Sequence, residues 1–94
     1  MNIYEKMNAI VGTHNAYIES INEKINSHVI TTREEKQELI RAINAFDSEL
    51  RKQDTELKLL ATNELDEDMA DSFSYKVVEY YYDRYEKFLK YLDD

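Results

Sequence analysis

Along the first third of the chain a seam, apolar at most of its positions, recurs at alternating spacings of three and four: Tyr4, Met7, Val11, His14, Ile18, Ile21, Ile25 and His28. That is the heptad pattern of a helix that turns one face toward its neighbours. Ile3, Ile10 and Tyr17 widen one flank of the stripe, which suits packing against two helices better than a narrow two-stranded seam. The spacing predicts a first helix over about residues 2–27, fraying around Asn26-Ser27-His28. Gly12 sits inside it, off the seam, at a cost of about 1 kcal/mol relative to Ala. It marks either a close approach by another backbone or nothing at all.

Thr31-Thr32-Arg33-Glu34-Glu35 then offers two capping boxes, Thr31 with Glu34 and Thr32 with Glu35. A second helix over about 32–62 follows, with the seam Leu39, Ile43, Phe46, Leu50, Gln53, Leu57 and Leu60. Gln53 is a polar interruption of the kind that fixes register rather than binding a ligand. Asp47/Arg51 and Asp54/Lys58 are acid-first i,i+4 pairs for the outer face. Acids then crowd the stretch from Glu64 to Asp71, where they suit the positive end of a new helix. A third helix over about 66–92 carries the stripe Phe73, Val77, Val78, Tyr81, Tyr85, Phe88, Leu89 and Leu92, with Asp83/Lys87 and Glu86/Lys90 on its exposed side. Ser72 to Tyr82 is rich in residues that favour strands. With no turn residue nearby and no second strand to pair with, helix is the expectation there. Three helices of roughly 40, 45 and 40 Å with short connections predict an all-α, antiparallel up-down-up three-helix bundle as one domain over 1–94.

Composition supports that architecture. The 94 residues include no Pro, one Gly and no Cys, and sheet-rich domains draw their tight turns from Pro and Gly. Without Cys there are no disulfides, thiolate metal sites or cysteine nucleophiles. The start, with Glu5 and Lys6, lacks the apolar run of a signal peptide, and no apolar stretch approaches the roughly 18 residues that span a bilayer. A cytoplasmic protein is therefore the expectation. Twelve Lys and Arg against 20 Asp and Glu give a net charge of −8. That balance argues against direct binding of nucleic acid or an anionic membrane, and toward a basic protein partner such as a nucleic-acid-handling protein.

Candidate chemistry is sparse. His14 and His28 are fourteen residues apart, so one continuous helix separates them by roughly 21 Å and they share no metal within a chain. The expected roles are a partly buried seam residue at His14 and a helix-end residue at His28. The acidic run lacks the glycine-containing loop of a calcium site. No phosphate-binding glycine loop, His-Glu-x-x-His or Gly-x-Ser-x-Gly is present, so no enzyme, cofactor or metal is expected.

Tyrosine is the unusual feature. Six of the eight lie between Tyr75 and Tyr91, and Tyr80, Arg84, Lys87 and Tyr91 share a second face at helical spacing. Tyr and Arg together are enriched in binding hot spots. The expected contact surface is Tyr75, Tyr80, Arg84, Lys87 and Tyr91, with the acids Glu64, Asp66, Glu67, Asp68 and Asp71. Small acidic helical chains of this character resemble bacterial or phage accessory factors that act by binding, a likeness carried by no motif. The sequence thus points to a non-catalytic, self-associating interaction protein that binds, or inhibits, a protein partner. Two alternatives stand beside it: an acidic nucleic-acid mimic that blocks a DNA- or RNA-binding protein, and an oligomer with small-ligand or nucleotide pockets at subunit interfaces.

Overall fold

The structure is a computed structural model that describes residues 2–27, 30–64 and 67–93, the side chains of 63 and 64 excepted. His28 and Asp66 lie outside the described residues. The first helix runs Ile3–Asn26. Asn2 caps it, its Oδ1 accepting from the Glu5 N–H at 2.9 Å, with the Glu5 carboxylate in the first turn. The second helix runs Arg33–Glu64. Of its two possible caps, Thr32 is the one that meets the backbone, accepting from the Glu35 N–H at 3.1 Å while its hydroxyl donates to the Glu35 carboxylate at 2.9 Å. Thr31 reaches only that carboxylate. The third helix is α-helical over Glu67–Phe73 and Glu79–Asp93, joined without a break by a π-helical turn over Ser74–Val78.

The three helices form the expected up-down-up bundle, with extents of 49 × 19 × 17 Å. Cross-links show the directions. Lys6 meets Glu56 at 3.4 Å and Tyr17 meets Glu49 at 2.7 Å, so the first two helices run antiparallel. Ser74 meets Asp54, and the Arg51 guanidinium lies 4.9 Å over the Tyr82 ring, so the third also opposes the second. All four i,i+4 ion pairs form, at 3.0–3.2 Å. Asp54 nevertheless belongs to an interface rather than the outer face, because it accepts from Ser74 as well as pairing with Lys58.

Two seams differ from expectation. Ile3 and Ile10 are buried whereas Tyr4 is 56% exposed, so the first helix is rotated toward the flank that its extra isoleucines mark. This rotation brings Tyr17 onto the second helix, where it stacks on Phe46 with centroids 3.9 Å apart. Near the end of the second helix it is Ala61, not Leu60, that is buried in full. Gly12 faces open space, with nothing within 4 Å of where its Cβ would be. No close packing requires a glycine there.

The π turn decides which face of the third helix is inside. Its signature is the Glu79 N–H donating to the Ser74 carbonyl, five residues back instead of four. Ala70 and Phe73 begin an inward stripe that regular heptad spacing would continue through Val77, Tyr80, Arg84, Lys87 and Tyr91. One extra residue in the turn advances the stripe by one position. The buried set becomes Val78, Tyr81, Tyr85, Phe88 and Leu92. The uninterrupted alternative would bury the charges of Arg84 and Lys87, at a desolvation cost that no apolar contact offsets. The adjacent valines Val77 and Val78 are the trace of this shift in the sequence.

Candidate functional site

The middle of the bundle holds a layer of polar side chains among aliphatic ones. His14 is completely buried, where partial burial was expected. Its Nε2 lies 2.7 Å from the Gln53 Oε1 and its Nδ1 lies 2.6 Å from the Tyr85 hydroxyl. A carboxamide oxygen only accepts, so Nε2 carries a proton, and in the neutral imidazole Nδ1 accepts from Tyr85. Burial disfavours a charged ring, and in the neutral form both nitrogens are satisfied, by two different helices. Beside it, Tyr81 donates to the Asn15 Oδ1 at 2.8 Å and Tyr17 donates to the Glu49 carboxylate at 2.7 Å. The Tyr17 ring meets His14 edge-on at 5.3 Å.

Electrostatics follow the burial. Desolvation holds the His14 imidazole below the usual histidine range, against the opposing effects of the Gln53 bond and the Glu49 and Asp47 charges. Burial pushes the Tyr85 hydroxyl well above the usual tyrosine value, and burial raises Tyr81 too. Tyr17 is raised chiefly by its bond to Glu49. Each hydroxyl therefore remains a donor across the physiological range. The layer joins all three helices at one level, which suits a register-fixing role. Heptad spacing located His14, Gln53 and Tyr85 at seam positions, but their meeting depends on the axial register between helices, which no local pattern states. Asn15 and Glu49 carried no signal in the sequence.

The expected contact surface divides into two places. Tyr80 and Tyr91 are 53% and 64% exposed on the outer flank of the third helix. Lys87 pairs with Asp83 at 3.0 Å. Arg84 is half-buried, its guanidinium 4.9 Å over the Phe88 ring, and among the described residues its buried Nε has no hydrogen-bond partner. Tyr75 is 79% exposed within the π turn, nearer the acidic end. Glu67, Asp68 and Asp71 are exposed in the first turns of the third helix, as expected. Glu64 instead ends the second helix, so the acidic run is split between two helices rather than opening one. Tyr4, Leu59 and Met69 are also exposed at this end of the bundle, which raises its apolar content beyond what the tyrosines alone indicated.

At the opposite end, Ile30, Thr32, Arg33, Lys36 and Leu92 line a groove of about 530 Å³ that is open to solvent. Among the described residues, no three His, Cys, Asp or Glu side chains converge as metal ligands would. Nor is any helix long and apolar enough to cross a membrane. No protein-family model, curated protein or solved structure matches the chain. The geometry of the molecule alone carries the functional reading.

Proposed function

We propose that this chain is a non-catalytic helical interaction protein that self-associates and binds a protein partner through the outer face of its third helix. One observation carries the reading: Tyr75, Tyr80 and Tyr91 stand in solvent on a helix whose own inward face is already filled by Tyr81, Tyr85, Phe88 and Leu92. Exposed tyrosines add large, rigid contact area at low entropic cost. The exposed acids Glu67, Asp68 and Asp71 favour a partner with a basic surface and speed encounter with it. Among the described residues the ring nitrogens of the buried His14 are both engaged by neighbouring side chains, which supports a structural rather than a catalytic role for that layer.

Replacing Tyr80 and Tyr91 together with Ser tests the proposal. Light scattering should show the wild-type chain heavier than one protomer at micromolar concentration, and the double variant shifted to monomer with an unchanged helical circular dichroism spectrum. Partner capture should fall in parallel and survive added salt, because the contact centres on aromatic groups rather than on screened charge. A wild-type monomer whose captured partners are the same in both forms would refute it.

A further inference from the structure

We propose that the His14 layer is a proton-sensitive latch: a proton added to the buried imidazole loosens the third helix from the other two. The inference does not depend on what the outer face of that helix binds.

The hydrogen bonds supply the reason. With His14 neutral, Tyr85 donates to Nδ1 and Nε2 donates to Gln53. A second proton must go on Nδ1, where it points at the Tyr85 hydroxyl only 2.6 Å away. The Tyr85 oxygen then accepts from Nδ1, which turns the tyrosine's own proton out of the line between them and leaves it without an acceptor. Among the described residues Tyr85 has no second hydrogen-bond partner, and its ring is buried, so water does not replace the lost acceptor. The new charge is also enclosed, since His14 is completely buried.

The groups that face the ring decide whether the charge is rescued. Tyr17 lies against it from the same helix, and Tyr81 and Tyr85 from the third, all neutral hydroxyls. On the second helix Gln53 is neutral, while Glu49 and Asp47 are the two carboxylates that attract a proton to the ring. Both are already engaged, Glu49 by the Tyr17 hydroxyl and Asp47 by Arg51 at 3.0 Å. Burial outweighs them, and His14 is held below the usual histidine range. The sign then follows. The unfolded chain binds a proton at this histidine near pH 6.5 and the folded chain only at lower pH, so the closed state is favoured above about 6.5 and loses ground as pH falls below it. The loss is at most about tenfold in the closed-to-open ratio per pH unit, the limit for one proton.

Two measurements on the whole chain test the latch. Hydrogen exchange at pH 7.5 and at pH 5.5, corrected for intrinsic rates, should show amides of residues 79–93 opening several-fold more often at the lower pH. The variant His14→Gln should lose that extra opening. Nitrogen-15 NMR of the wild-type imidazole should report the Nε2-protonated tautomer and a titration midpoint below 6.5, a readout that needs no variant to fold. A midpoint at or above 6.5 would overturn the latch by showing that Glu49 and Asp47 outweigh burial. Opening of the third helix that is equal at the two pH values, or unchanged by His14→Gln, would also overturn it.

Discussion

Tyr80 and Tyr81 are neighbours in the chain with opposite environments. Tyr81 is buried and donates to Asn15, whereas Tyr80 is half in solvent with its hydroxyl unclaimed among the described residues. The division continues down the helix, with Tyr85 locked to His14 and Tyr91 exposed. Both stripes have heptad spacing, so periodicity alone does not rank them. The π turn at Ser74–Val78 selects between them, and it selects the stripe free of charge. One face of the helix then carries stability and the other remains free for contact.

The largest effect that probes this division comes from emptying the inner stripe. Tyr85→Ala should cost about 4 kcal/mol in urea unfolding, since it leaves a ring-sized cavity and an unpaired His14 nitrogen. Against a total of about 5–15 kcal/mol for a domain of ordinary stability, that approaches loss of the fold. Glu49→Gln is smaller. It weakens a charge-assisted bond from Tyr17 to a neutral one and should cost about 1 kcal/mol by the same measurement. It also removes one of the two charges that raise His14, so the imidazole midpoint should move further down in NMR.

A change of similar size and opposite sign is expected at Gly12. The site is helical and unobstructed, so Gly12→Ala should stabilise the chain by about 0.5–1 kcal/mol. An unchanged or lower midpoint of thermal unfolding would mean that the exposed side of the first helix has a contact requiring glycine. The smallest effect belongs to the outer stripe, where Tyr80→Ser and Tyr91→Ser should each alter unfolding free energy by no more than about 0.5 kcal/mol.

Local chemistry made most of the fold legible. Absent proline and scarce glycine excluded sheet topologies, Thr32 marked the start of the second helix, and acid-first spacing located all four i,i+4 ion pairs. What escaped depends on how helices are rotated and slid against one another. The first helix is rotated toward its Ile3 and Ile10 flank, which buries Ile3 in place of Tyr4 and brings Tyr17 onto Phe46. The polar layer needs an axial register that brings residues 14, 53 and 85 to one level. The acids from Glu64 to Asp71 read as one run along the chain, yet Glu64 ends the second helix while Glu67, Asp68 and Asp71 lie on the third. The outer stripe of the third helix, exposed at Tyr80 and Tyr91, was legible, whereas the π turn that sets it apart from the inner stripe was not.

Removing the same atom from each stripe tests the division most directly. Tyr85→Phe and Tyr80→Phe each delete one hydroxyl from the same helix and leave the ring in place, so urea unfolding of the two variants isolates the surroundings of that hydroxyl. The expected result is a loss of about 1–3 kcal/mol at Tyr85, where a buried His14 acceptor is left unpaired, and a change within about 0.5 kcal/mol at Tyr80. Equal losses at the two positions, or a larger loss at Tyr80, would contradict the assignment of stability to the inner stripe.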